Sequence, residues 1–257
     1  MNNRFYVNIA QDGYDEKSYA RAIIFADEIA KKDPEVNRIV LYIHTKVNTG
    51  YFGHFFDEKT IKKLFDGNIH LEGFQVPFTI ETVFTYEKCK YSTSNKDIVL
   101  AFGMDLKDLE IIDDYYCTKY IVAIPWIKDK TMPWVKRWNA IEISSGLSTT
   151  SSSSSSLSDI TKTALKELTD LINLSTGISH PDDNSRAKTY IRALFKYEDS
   201  LEAEDVVSYL TTELGWSTAH AKDVGCLITT LNEGRSFKGG DKTGLNALYN
   251  RWKLSAK

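Results

Sequence analysis

The sequence of 257 residues contains only three cysteines, and they are widely spaced. Cys89, Cys117 and Cys226 form no Cys-x-x-Cys pair, so neither a disulfide framework nor a structural zinc site is indicated. The five histidines form no His-x-x-x-His or His-Glu-x-x-His motif, and we therefore predict no metal centre. Since reduced thiols are usual in the cytoplasm, the cysteine content favours a cytoplasmic protein.

Long apolar runs are also missing. A membrane-spanning helix needs about 20 consecutive apolar residues, whereas the apolar run at 120–126 has seven. The N-terminus lacks the extended apolar segment of a secretory signal. These observations predict a protein without a membrane segment.

Neither sign of charge dominates the chain. The sequence has 32 lysines and arginines and 35 aspartates and glutamates, with a net charge of -3. This balance disfavours a globally basic nucleic-acid binder as well as an acidic solvating tail. Because 42% of the residues are hydrophobic and 26% are charged, the composition is that of folded globular domains.

The glycine-rich loops of common nucleotide-binding motifs are absent. The turn after the first predicted strand, 11–17, holds a single glycine, and neither Gly-x-Gly-x-x-Gly nor Gly-x-x-x-x-Gly-Lys-Ser/Thr occurs. No Gly-x-Ser-x-Gly elbow is present either. Lysines flank Cys89 and would favour its thiolate, but no partner base can be assigned to it. The sequence therefore shows no evident cofactor motif and leaves open whether the protein is an enzyme.

A serine-rich segment divides the chain. Residues 144–158 contain ten serines, two threonines and one glycine, and such a composition buries too little apolar surface to offset its ordering entropy. We predict a linker at 144–158 between domains at 1–143 and 159–257. The alternative is a surface loop within one domain.

The first predicted domain alternates strands with helices. Apolar runs rich in β-branched residues predict strands at 4–10, 38–44, 97–102, 119–125 and 140–143. Helical periodicity predicts helices at 18–32, with Ser18 as its N-cap, and at 57–65, 105–115 and 131–138. The segment 70–86 contains Pro77 and suits an edge strand. Near-continuous apolar strands separated by helices predict a small Rossmann-like, doubly wound, mostly parallel α/β domain.

The second predicted domain is all-α. Its predicted helices are 159–174, 185–197, 201–214, 217–233 and 245–253. Ser200 and Ser217 are the expected N-caps of the third and fourth of these helices. The lengths of that pair are compatible with a helix-turn-helix.

A candidate ligand site follows from the parallel topology, because ligands of such sheets bind beyond the carboxyl ends of the strands. This rule selects Asp12, Tyr14, His44, Asp105 and Trp126. The carboxylates suit ribose hydroxyls, and the aromatic rings suit a nucleotide base. Asp105 equally fits an N-cap.

The glycine-containing loop at 46–55 has two interpretations. It suits either a lid over this crevice or a packed surface loop. Trp134 and Trp138, four residues apart, share a helix face and suit a pocket wall, a partner contact or core packing against the second domain.

The end of the chain is locally basic. Residues 235–257 hold six basic residues against one acidic residue. The candidates for contact with nucleic acid or phosphate are Arg235, Lys238, Lys242, Arg251 and Lys253. The helix that would enter a major groove, 217–233, has Lys222 as its only basic residue, which weakens the DNA-binding interpretation.

Three functional hypotheses result. The first is a non-catalytic binding or regulatory protein for a small, nucleotide-like ligand, with a helical domain that responds to the ligand or self-associates. The second is an enzyme acting on a nucleotide or phosphorylated metabolite, with Asp12 or Asp105 as base or anchor and His44 as acid or base. The third is a DNA-associated regulator that uses the helical domain.

Overall fold

The computed structural model describes residues 3–9, 11–143 and 157–256. Contacts divide the chain into two compact units, Met1–Ser152 and Ser153–Lys257. The first is α/β and the second is helical, as predicted. Most of the predicted linker at 144–158 lies outside the described residues, and it stays a prediction.

Six parallel strands form one sheet in the first unit, in the order β3-β2-β4-β5-β1-β6. The strands are β1 (Arg4–Tyr6), β2 (Arg38–Ile43), β3 (Phe78–Thr82), β4 (Asp97–Phe102), β5 (Thr118–Ile124) and β6 (Ile141–Glu142). Every residue of β2 and β4 is buried. Parallel sheets are covered on both faces, which explains why these strands are apolar along most of their length.

Helices cover both faces of the sheet. They are α1 (Glu16–Lys32), α2 (Glu58–Asp66), α3 (Val83–Tyr86), α4 (Leu106–Asp113) and α5 (Lys128–Trp138), with 3-10 helices at Lys46–His54 and Glu87–Cys89. Because side chains alternate along a strand, Leu41 packs in one core with α1 and α2. Its neighbour Tyr42 packs in the other core with α3, α4 and α5.

Several element ends differ from the sequence predictions, and those of β1 and α1 lie next to the candidate site. Strand β1 is shorter than predicted, although the Val7 N–H still donates to the Ala123 carbonyl at 2.9 Å. Helix α1 begins earlier, since Asp15 rather than Ser18 caps it by accepting the Lys17 N–H at 3.2 Å. The edge strand β3 begins directly after Pro77, as expected for a residue that lacks an N–H donor.

Buried ion pairs join elements at the amino edge of the sheet. Arg38 of β2 binds Asp97 of β4 through two N–H groups, at 2.9 and 2.6 Å, and the Tyr86 hydroxyl donates to the same carboxylate at 3.0 Å. Nearby, Arg4 of β1 pairs with Asp113 of α4 at 2.6 Å. Removal of either partner would leave an uncompensated buried charge, which is strongly destabilising.

The two tryptophans of α5 bind the same carboxylate. Trp134 and Trp138 donate their indole N–H groups to Asp113 Oδ2, at 2.6 and 2.7 Å. They share a helix face, as their spacing predicted. Both pack in a core of the first unit, where they satisfy a buried charge.

The described residues of the second unit form five helices. They are α6 (Asp159–Leu171), α7 (Pro181–Tyr197), α8 (Ala203–Thr212), α9 (Thr218–Asn232) and α10 (Leu245–Ser255). Ser217 caps α9 as predicted, by accepting the His220 N–H at 3.2 Å. The predicted cap of α8, Ser200, is wrong, because Glu202 precedes this helix and makes no side-chain cap bond. None of the helices in the described part of the chain is both long enough and apolar enough to cross a bilayer.

Contacts along α8 and α9 describe an antiparallel helical hairpin. Near the open end, the Asn232 amide donates to the Leu201 carbonyl at 3.1 Å. Midway, a Cβ on Gly225 would lie 2.7 Å from Val207 Cγ2 and 3.7 Å from the Ala203 carbonyl oxygen. The DNA-binding hypothesis stays a prediction.

Candidate functional site

The predicted ligand residues all follow strands at the carboxyl edge of the sheet. Asp12 and Tyr14 lie after β1, and His44, Asp105 and Trp126 lie after β2, β4 and β5. The neighbouring strands β2 and β4 connect in opposite directions, to β3 at the sheet edge and to β5 on the other side. Such a reversal marks the crevice in which open α/β sheets bind ligands.

The indole of Trp126 lies against the backbone of Gly103. A Cβ at Gly103 would lie 2.3 Å from Trp126 Cδ2, and the backbone φ of 68° also favours glycine. The indole N–H donates to the Tyr19 hydroxyl at 2.6 Å, and the Trp126 carbonyl accepts the Gly13 N–H at 2.7 Å. Gly103 and Tyr19 therefore hold the ring of Trp126, and Gly13 holds its backbone.

Further aromatic rings surround this indole. Tyr51 meets Trp126 edge to face, with ring centroids 5.3 Å apart. Tyr14 stacks on Tyr51 at 4.7 Å, and His54 stacks on the Tyr14 ring at 5.6 Å. The 46–55 segment that supplies Tyr51 and His54 is packed through buried Phe52, which supports the packed-loop interpretation over the lid.

Two tyrosine hydroxyls of this cluster remain protonated. Burial raises the pKa of Tyr19 well above its ordinary value, although the Trp126 hydrogen bond opposes this. Burial, followed by the nearby Glu16 and Asp15, also raises the pKa of Tyr14. The Tyr14 hydroxyl is buried and has no hydrogen-bond partner among the described residues. A buried hydroxyl without a partner has a free-energy cost that a bound polar group would relieve.

A second group of side chains is polar. His44 Nε2 lies 3.5 Å from Asp108 Oδ2, with the histidine side chain 41% exposed and the aspartate side chain 16% exposed. Asp105 caps α4 by accepting the Asp108 N–H at 3.2 Å. Gly103 and Asp105 are two residues apart, so the segment after β4 connects this polar group with the aromatic one.

The pKa values of the two carboxyl groups in the polar group are shifted in opposite directions. Burial raises the pKa of Asp108, against the lowering effect of His44. Burial also acts to raise the pKa of Asp105, but hydrogen bonds from Asp108 and Lys107 hold it below its ordinary value. At neutral pH, Asp105 is therefore a carboxylate that accepts hydrogen bonds.

Asp12 has a binding partner within the chain. Its Oδ1 accepts the N–H of Lys128, the first residue of α5, at 3.0 Å, and the side chain is exposed. This contact joins the β1 and β5 loops beside Trp126. Among the described residues, no three histidine, cysteine, aspartate or glutamate side chains are grouped closely enough to hold a metal ion.

The strand-end rule also placed Gly103 at this edge, but sequence reasoning did not identify Tyr19, Tyr51 or Asp108 as part of the site. Tyr19 has the spacing of a core residue on α1, and Asp108 that of an ordinary residue in the first turn of a helix. The glycine directly after β4 was the available signal, because a backbone that bends sharply at a strand end commonly approaches another group closely.

Two of the basic candidates at the C-terminal end are paired with acids. Arg235 pairs with Glu233, and Arg251 pairs with Glu167. Lys238, Lys242 and Lys253 are exposed.

The Gly239–Gly240 turn packs on α7 rather than standing free. Both glycines have positive φ, and Arg192 donates to the carbonyls of Phe237 and Gly239. The Asp241 N–H is bound to Thr189 Oγ1 at 2.7 Å. The carbonyl oxygens of Phe237 and Gly239 and the Asp241 N–H are therefore all bound by side chains of α7.

Comparison with protein families matches the helical unit alone. Residues 157–253 match the model of a domain of unknown function, DUF1889. This segment is less than half of the chain. Comparisons with curated proteins and with solved structures give no match. The family description assigns no activity, so the functional argument depends on the geometry of the sheet edge.

Proposed function

We propose that the α/β unit is a non-catalytic binding or regulatory domain for a small, nucleotide-like ligand at the carboxyl edge of its sheet. The observation that supports this most strongly is the indole of Trp126. It is fixed against Gly103 and Tyr19, and Gly103 lies two residues before Asp105 in the segment after β4. The carboxyl edge at a strand switch point is where open α/β sheets bind ligands, and binding sites combine aromatic rings with a few polar groups, which supports the proposal.

The ligand would use both groups of side chains. Trp126 is only partly buried and can contact the face or edge of a base, with Tyr51 and Tyr14 around it. Stacking of a base on an aromatic ring contributes about 1–3 kcal/mol. The carboxylates of Asp105 and Asp108 can accept hydrogen bonds from sugar hydroxyls.

Calorimetric titration with a panel of nucleosides, nucleotides and related metabolites tests this proposal. We expect saturable binding by at least one member and a loss of about tenfold or more in Trp126→Ala, which is about 1.4 kcal/mol. Tyr91→Ala is the matched control, because it removes an aromatic ring of the same unit that is 73% exposed. The proposal fails if no member binds, or if Trp126→Ala binds as tightly as the wild type.

A second candidate function is an enzyme, favoured by the His44–Asp108 pair. A half-exposed imidazole beside a carboxylate is the arrangement of a general base with a residue that orients it. In this role His44 would move a proton and Asp108 would orient the imidazole. Asp12 would stay bound to the N–H of Lys128. Turnover of a bound ligand that His44→Ala abolishes, with binding retained, would favour the enzyme over the binding protein.

We also propose that the helical unit responds to the ligand or self-associates, in a cytoplasmic protein. Support for the location comes from Cys89, Cys117 and Cys226, which are all free thiols. Light scattering of the full chain with and without the bound panel member tests the assembly. A mass that stays monomeric in both conditions contradicts self-association.

A further inference from the structure

We infer that the ligand of this edge is an uncharged nucleoside, a planar base with a hydroxylated sugar, rather than a nucleotide. This inference rests on the proposed function and narrows its ligand class. Three helices, α1, α4 and α5, begin at this edge. They follow β1, β4 and β5, which are adjacent strands of the sheet.

Carboxylates of the chain itself bind the N-terminal N–H groups of these three helices. Asp15 accepts the Lys17 N–H of α1 at 3.2 Å. Asp105 accepts the Asp108 N–H of α4 at 3.2 Å. For α5, Asp12 reaches across from the β1 loop and accepts the Lys128 N–H at 3.0 Å.

These positions are the ones that phosphates of nucleotides ordinarily occupy. A phosphate bound at a Rossmann-type edge accepts hydrogen bonds from free backbone N–H groups at a helix N-terminus, and the helix dipole favours its negative charge. Here a carboxylate already accepts from each helix and uses the same dipole. A phosphate would have to displace that carboxylate or lie beside it, and each alternative is unfavourable.

The first turns of the same helices add further charge of both signs. Glu16, Asp108 and Asp129 lie in the first turns of α1, α4 and α5. The lysines at this edge, all of them exposed, are Lys17, Lys46, Lys107, Lys128 and Lys130. Exposed lysine side chains are solvated and screened by salt. The partly buried carboxylates of Asp105 and Asp108 are screened less and dominate beside the site.

The same carboxylates suit a sugar. Each ribose hydroxyl carries a hydrogen that it can donate to a carboxylate oxygen, whereas an ionised phosphate brings only acceptor oxygens. Asp105 stays ionised at neutral pH and accepts such bonds. The partly buried ring of Trp126 remains for the base. The arrangement therefore matches the polar groups of a nucleoside and opposes the charge of a 5′-phosphate.

Calorimetric titration of the full chain tests this inference. The ligands are adenosine, guanosine, cytidine and uridine, each paired with its 5′-monophosphate in the same low-salt buffer at neutral pH. We expect the nucleoside that binds to do so at least about tenfold more tightly than its monophosphate, because like charges a few Å apart repel by more than this factor requires. Added salt should reduce the ratio.

The variant Asp105→Asn tests the cause of the discrimination. Asparagine caps helices about as well as aspartate, so the fold of α4 is retained while one negative charge is removed. We expect the ratio of nucleoside to nucleotide affinity to fall by about threefold or more. The control is Asp66→Asn, which removes the same charge from an exposed position at the last residue of α2. This variant should leave the ratio unchanged.

The outcomes separate the inference from the proposed function. A monophosphate that binds as tightly as its nucleoside, or more tightly, overturns the inference and leaves the binding function standing. An unchanged ratio in Asp105→Asn also overturns it, because the cap carboxylate would then not be the cause. If neither class of ligand binds the wild type, the proposed function itself fails and the inference falls with it.

Discussion

Gly103 shows how one residue determines the geometry of the candidate site. Its φ of 68° bends the chain directly after β4, and its missing side chain leaves the space that the Trp126 indole fills. Any L-residue at this position would be strained by the backbone conformation, and its Cβ would also collide with the indole. The position of the aromatic group therefore depends on a residue that has no chemistry of its own.

Gly103→Ala should destabilise the first unit by about 2 kcal/mol or more, because the backbone cost and the collision with Trp126 add. Urea unfolding followed by tryptophan fluorescence measures this change. Gly73→Ala is the control, since Gly73 has a φ of 84° and no atom within 4 Å of an added Cβ. The control should lose only the backbone contribution. Equal losses in the two variants would contradict the packing of Trp126 on Gly103.

Asp113 is the residue whose titration has the clearest consequence. Complete burial raises its pKa to about 6, against the lowering effects of Arg4 and the two indole N–H groups. In the unfolded chain the pKa of an aspartate is about 3.9. Between these values the folded protein binds more protons than the unfolded chain. The contribution of Asp113 to stability is therefore full below about pH 4 and falls as the pH rises through 6.

Asp113→Asn should remove this pH dependence. We expect the free energy of unfolding of the wild type minus that of the variant to be larger at pH 5 than at pH 7.5. The reason is that only the wild type gains from protonation of this side chain. Urea unfolding of both proteins at the two pH values measures the difference, and the other carboxyl groups cancel in the subtraction. A difference that is larger at pH 7.5 would contradict the raised pKa.

At the scale of elements, helix caps separate what the sequence predicted from what it did not. Ser217 and Asp105 cap their helices, as their positions before apolar periodic segments suggested. Ser18 and Ser200 do not. Helix α1 begins three residues before the first apolar residue of its stripe, so Asp15 takes the cap position and Ser18 instead donates to the Asp15 carboxylate. Apolar periodicity locates the buried face of a helix but not its first turn.

Ser217→Ala should therefore destabilise the helical unit by about 1 kcal/mol through loss of the bond to the His220 N–H. Ser200→Ala is the matched control and should change stability by less than about 0.5 kcal/mol, as is usual for an exposed position without such a contact. Thermal or urea unfolding followed by circular dichroism compares the two. A loss in Ser200→Ala equal to that in Ser217→Ala would contradict the observed cap.

The site itself was only partly predictable. The rule that ligands bind beyond strand ends selected Trp126, Tyr14, His44, Asp105 and Asp12, since it requires only the order of the elements. It did not select Tyr19 or Tyr51, because their roles depend on how α1 and the 3-10 helix pack over the strand ends. It also did not predict that Asp12 would bind the first N–H of α5. Tertiary contacts between distant segments are not encoded in local pattern.

At the scale of the whole molecule, composition and periodicity predicted the order of the fold classes. Buried parallel strands read as apolar runs and amphipathic helices as 3.6-residue stripes, so the change from α/β to all-α is visible in the sequence. The register and order of the strands were not predictable, because they depend on contacts between residues far apart in the chain.

The helical unit should fold by itself. Its core is built from residues between Leu157 and Trp252, and this core includes side chains from all five helices. A fragment spanning 157–257 should be helical by circular dichroism and should unfold cooperatively on heating. A fragment without helical signal, or one that melts without a transition, would show that the helical unit depends on the first unit for its stability.

The central claim is that a fixed indole at the carboxyl edge of the sheet binds a small nucleotide-like ligand. Its most direct test is calorimetric titration of the wild type, Trp126→Ala and Tyr91→Ala with the same panel of nucleosides and nucleotides. We predict saturable binding to the wild type and to Tyr91→Ala, and at least about tenfold weaker binding to Trp126→Ala. Absence of binding to the wild type, or equal affinity in all three proteins, would contradict the claim.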